Sequence, residues 1–79
     1  MTETTISVHT QAQADAVQRI FQKKKQQGRV NAIACEKEEN NEISLLIQQD
    51  MGDWTYRLDA EGEILTAGFF GGGIEDWFN

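Results

Sequence analysis

Proline is absent from the 79 residues, and cysteine occurs once, at Cys35. Without proline the chain holds neither a polyproline ligand nor a stiff proline-rich linker. A lone cysteine excludes an intramolecular disulfide framework and a multi-cysteine zinc site. Small secreted domains usually rely on such staples, so their absence favours a reducing compartment, and a cytoplasmic location is expected. No apolar run approaches the ~20 residues that a membrane span requires, so no membrane association is expected. Met1 to Thr5 is polar and lacks the basic-then-apolar pattern of a signal peptide.

What is present has the composition of an ordinary folded chain, with 39% hydrophobic and 25% charged residues. This length fits one domain, and a chain so short buries only roughly 60% of its unfolded surface, so its core is thin. Residues 1–73 are expected to form a single domain, with residues 74–79 as a short aromatic and acidic tail.

Thr4 to His9 alternates, with Ile6 and Val8 on one face and Ser7 and His9 on the other, the pattern of a short strand. Thr10 and Gln13 have the spacing of a capping box. From Gln11 to Gln27, Ala12, Ala16, Val17, Ile20 and Phe21 recur at helical spacing. Asp15 lies near the positive end of the helix dipole and is placed to pair with Arg19. Lys23, Lys24 and Lys25 lie near the negative end, as a solvated, dipole-matched turn. Gly28 is placed to close the helix at C′.

Beyond Gly28 the period changes to two. Val30 to Glu36 and Ile43 to Ile47 read as strands joined around Asn40-Asn41, residues that tolerate positive φ. Asp50-Met51-Gly52-Asp53 predicts the next turn, Trp54 to Leu58 a strand, Ala60-Glu61-Gly62 a third turn, and Glu63 to Phe69 the last strand. Three short turns in succession imply an antiparallel meander. The expected fold class is α+β, in the order βαββββ, with one N-terminal helix packed on a mostly antiparallel sheet. Gly71-Gly72-Gly73 ends the last strand, and Ile74 to Asn79 has room for one helical turn.

The net charge of −6 is unevenly distributed: residues 1–35 carry +3 and residues 36–79 carry −9. Alternate hairpin turns of a meander share one end of the sheet. The first turn supplies Glu36, Glu38, Glu39 and Glu42, and the third supplies Asp59, Glu61 and Glu63, with only Lys37 among them. Two strand spacings, about 10 Å, separate the turns. At that distance in water each like-charge pair costs about 0.4 kcal/mol before screening, so the summed repulsion reaches a few kcal/mol. Acidic loops aid solubility. They also form an acidic knob suited to a basic surface on another protein.

Other features carry less. Gly68, Gly71, Gly72 and Gly73 are not followed by Lys-Ser or Lys-Thr, and Glu75 and Asp76 would repel a phosphate. Asp59-Ala60-Glu61-Gly62-Glu63 lacks the alternating ligands and distant glutamate of an EF-hand, so neither metal nor cofactor is expected. An acidic chain is also a poor ligand for duplex DNA. His9 and Cys35 are the sole histidine and cysteine, and nothing nearby marks a nucleophile. Consecutive Phe69 and Phe70 point to opposite sheet faces, and a single helix covers only one face. Trp54, Phe70, Trp77 and Phe78 are therefore candidates for fold-back, a partner contact or a homodimer.

In size, acidity and lack of catalytic marks the chain resembles the broad class of small phage or mobile-element proteins that inhibit host defence enzymes. Some of these present carboxylates in place of DNA phosphates. The likeness is compositional and assigns no residue. It implies a non-enzymatic inhibitor or adapter whose carboxylate-rich turns dock on a basic partner, for instance a nucleic-acid-handling enzyme. The alternatives are a structural, homo-oligomeric subunit assembled through its sheet face and aromatic tail, and an enzyme that uses His9 or Cys35.

Overall fold

The structure, a computed structural model, describes residues 3–71, with side chains from residue 5 onward. Strand β1 (Glu3–Ile6) is followed by helix α1 (Gln11–Gln27), then by β2 (Val30–Lys37), β3 (Ile43–Gln49), β4 (Gly52–Leu58) and β5 (Ile64–Gly71). The strands form one sheet in the order β1-β2-β3-β4-β5. β1 runs parallel to β2 through the helical crossover, and the remaining pairs are antiparallel. The expected α+β meander is the observed fold, and the first strand takes an edge.

The core follows from the alternation along β3. Ile43, Leu45 and Ile47 all point to one face and are fully buried there beneath α1. Cross-strand neighbours complete that layer: Cys35, Leu45 and Tyr56 form one row, and Ile33, Ile47 and Trp54 another. Ala16 and Val17 close it from the helix. Burying each large aliphatic side chain contributes about 1.5–3 kcal/mol, so this one layer carries most of the apolar stabilisation.

Several boundaries differ from the sequence reading. The first strand ends at Ile6 instead of His9, because the Ser7 amide makes the last bond to β2, at Cys35 O (3.0 Å), and the chain then bends into the helix cap. Ala12 is exposed, while Gln13 beside it is buried. Gly28 caps α1 in an extended conformation (φ 166°) instead of a left-handed one, and its amide bonds Lys24 O at 3.2 Å. The Gln49 side-chain amide donates to the same Lys24 carbonyl at 2.9 Å, so β3 helps to close the helix. Asn40 and Asn41 both take φ of 60° within a short 3-10 turn at Glu39–Asn41, as the first hairpin demanded.

Lys24 departs from the solvated role read for the three lysines. It is buried, with its Nζ 3.5 Å from the centroid of the Trp54 ring and 3.3 Å from Gln27 Oε1. Burial, with Lys23 alongside, lowers its proton affinity. A cation over the electron-rich face of an indole recovers part of that desolvation. Among the described residues, no helix is long and apolar enough to cross a membrane.

Candidate functional site

The turn between β2 and β3 and the turn between β4 and β5 lie at the same end of the sheet, as a meander requires. Helix α1 begins at that end. Its capping box is complete: Thr10 Oγ1 accepts from the Gln13 amide at 3.1 Å, and Gln13 Oε1 accepts from the Thr10 amide at 3.2 Å. The Thr10 hydroxyl in turn donates to Ala60 O at 2.7 Å, which pins the helix start to the β4–β5 turn.

Gln13 does more than cap. Its side chain is fully buried, and Oε1 also accepts from the His9 amide at 2.8 Å. Its Nε2 donates to Asn41 O in the first turn and to Asp59 O in the third, the latter at 3.0 Å. One amide therefore ties the helix start to both acidic turns. His9 Nε2 adds a 3.1 Å contact with Glu38 O. The positive end of the helix dipole lies between the carboxylate-bearing turns and offsets part of their mutual repulsion.

The seven carboxylates are not equivalent. Glu42 Oε1 is 2.6 Å from Arg57 Nε, and this pairing raises the proton affinity of the guanidinium. Asp59 Oδ1 accepts from the Glu61 and Glu63 amides at 3.0 and 2.9 Å, so it shapes its own turn. Glu39, Glu61 and Glu63 are exposed and Glu38 is half-buried. Glu36 is exposed on the sheet face away from the helix, in one cross-strand row with Ser44 and Arg57. Glu36, Arg57, Ser44, Thr55 and Thr66 border a shallow hollow of about 470 Å³ on that open face.

The aromatic candidates divide between the two sheet faces. Trp54 lies on the helix side, half-buried under Lys24, and packs on Phe69 with ring centroids 4.6 Å apart. Phe70 is half-buried on the open face, opposite Asp53. Trp77 and Phe78 lie outside the described residues, as do the rest of the tail, Gly72 and Gly73.

Cys35 and His9 do not meet. Cys35 is fully buried, and its Sγ donates to Ser7 O at 3.5 Å, whereas the His9 ring turns to Glu38 O. Burial pushes the Cys35 thiol above its ordinary range, the Ser7 bond pulls it back in part, and Glu36 adds to the rise. A thiol protonated more firmly in the fold stabilises the fold at low and neutral pH. That contribution is complete below the unfolded thiol's pKa and is lost as pH rises through the raised value. Cys35 should therefore react with a disulfide reagent at neutral pH only as fast as the chain opens, with full reactivity restored in urea. Stoichiometric labelling within seconds in buffer would contradict the buried placement.

Sequence reasoning found the turns and their charge but missed the brace. Thr10 and Gln13 were legible as a cap, whereas nothing in the local sequence shows that Gln13 Nε2 reaches two distant carbonyls. The one available signal was a glutamine beside the apolar stripe. Comparison of the chain with protein-family models, with curated protein sequences and with solved structures finds no match to any of them.

Proposed function

We propose that this protein is a non-enzymatic inhibitor or adapter that binds a basic surface on a partner protein through the carboxylates of its two braced turns. The observation that carries this reading is the buried Gln13 amide bonded to both Asn41 O and Asp59 O. Carboxylates on separately mobile loops must be ordered on binding, which costs about 0.5–1.5 kcal/mol for each immobilised side chain and more for a loop. Turns already tied to one another avoid the loop part of that cost. With Glu42 held by Arg57 and Asp59 by turn amides, the charge open to a partner is that of Glu36, Glu38, Glu39, Glu61 and Glu63.

Two rows of carboxylates on one rigid end suit a partner that otherwise holds phosphates, such as a nucleic-acid-handling enzyme. The anti-defence inhibitor suggested by composition is the setting we favour. Charge complementarity of this kind accelerates the encounter and makes it salt-dependent.

The test begins with a tagged pull-down at low and moderate salt, and repeats it with the E38K/E39K/E61K variant. Each reversal removes an attraction of roughly 0.2–1 kcal/mol and adds a repulsion of similar size, so the three together should lower affinity for the captured protein by roughly thirty-fold. Circular dichroism should remain that of the parent, because Glu39 and Glu61 are exposed and the half-buried Glu38 lies outside the core cluster. A folded triple variant that binds with unchanged affinity would end this reading.

A further inference from the structure

The edge strand β5 is eight residues long, Ile64–Gly71, and contains no charge and no proline. Natural sheets usually protect such an edge with a lysine, a proline, a covering loop or a very short strand. The opposite edge, β1, has four residues. Helix α1 packs chiefly over β3. On β5, among the described residues, Ile64, Leu65 and Phe69 are 51%, 48% and 46% exposed.

Beyond the partner reading above, the geometry points to a second copy of this chain as the occupant of this edge, paired antiparallel β5 to β5 about a two-fold axis at Ala67. In that register Ala67 faces its own copy, small Ala67 and Gly68 keep the centre flat, and Phe69 of each protomer lies opposite Leu65 of its partner. Charge argues for this occupant specifically. The two ends of each protomer differ in sign: Glu61 and Glu63 precede β5, while the end where β5 finishes carries Lys24 over Trp54 and, from the close of α1 and the residues after it, Lys23, Lys25 and Arg29, against Asp50 and Asp53 of the β3–β4 turn. An antiparallel pair places the acidic end of each protomer alongside the basic end of the other, twice by symmetry. A parallel pairing would set acid beside acid. The contact is one strand pair with three exposed apolar side chains on each side, so a dimer with a Kd in the range of about 1–100 μM is expected.

The experiment is sedimentation equilibrium of the full chain from about 5 to 500 μM, a range that brackets the expected Kd. The expected result is a reversible transition from the 8.9 kDa monomer to twice that mass. Ala67→Lys sets two lysines against each other on the axis and should raise Kd at least ten-fold, with the circular dichroism of the parent. It leaves the acidic turns untouched, so partner capture through them should persist. Glu63→Lys should also weaken the dimer, and adding Lys23→Glu should restore it, a readout that does not depend on how well the Ala67 variant folds. A chain monomeric at every concentration, or a dimer indifferent to both Ala67→Lys and the Glu63/Lys23 exchange, would overturn the proposal.

Discussion

Gln13→Leu is expected to lower the free energy of unfolding by about 3 kcal/mol, a large fraction of the ~5–8 kcal/mol available to a domain of this size. The substitution keeps the volume and removes four hydrogen bonds together, two accepted from the His9 and Thr10 amides and two donated to Asn41 O and Asp59 O. Each backbone group left without a partner in a buried site costs about 1–3 kcal/mol. Water entering at the helix start relieves part of that cost, and the new apolar side chain returns roughly 1 kcal/mol.

Gln13→Glu separates the electrostatic part. The introduced carboxylate still accepts from the two amides, but it turns a charged oxygen toward two carbonyls and adds an anion between acidic turns. Its burial favours the protonated form, so the folded-state pKa lies above the unfolded one. The fold then binds more protons than the unfolded chain, and stability should rise as pH falls toward that raised pKa. Urea unfolding at pH 7 and pH 5 measures both effects. A loss below 1 kcal/mol for Gln13→Leu would show that the turns do not depend on the brace.

The part of the fold legible in the sequence was the part dictated by period. Alternation at Ile43, Leu45 and Ile47 fixes which face of β3 is buried, and no tertiary contact competes with it. The Thr10–Gln13 spacing marks the helix start for the same reason, since a cap is made within four residues. The acidic end was legible because hairpin topology alone places alternate turns together. What remained hidden depends on contacts between distant segments. Lys24 looks solvated beside Lys23 and Lys25, yet its position one turn before the helix end sets it over Trp54, thirty residues away in sequence. Asp59 reads as one more surface acid, but its carboxylate is occupied by the Glu61 and Glu63 amides. The edge position of β1 is equally non-local, because a helical crossover permits a strand on either side.

Gly62→Ala is expected to be comparably damaging, by about 3 kcal/mol, and through a different cause. Gly62 has φ of +81°, which an L-residue adopts only with strain. It is also pressed against the first turn of α1. A Cβ there would lie 2.6 Å from Ala12 O and 3.0 Å from the Ala16 methyl, and neither neighbour is the free end of a flexible side chain. The backbone strain contributes about 1–2 kcal/mol, and overpacking of the helix against the turn adds a similar amount.

Gly28→Ala is the control. Its extended φ suits alanine, and its nearest contact is Gln49 Nε2 at 3.7 Å, so a change within about 0.5 kcal/mol is expected. The two glycines differ in function as well. Relieving the clash at Gly62 pushes the β4–β5 turn away from the helix, which opens the bonds from Gln13 to Asp59 O and from Thr10 to Ala60 O. The carboxylates of the two acidic turns then lose their fixed separation while keeping their charge. Under conditions where Gly62→Ala remains folded, it should therefore weaken partner binding with no change in net charge. Retained affinity would mean that charge alone suffices and that the geometry held by Gln13 serves stability only.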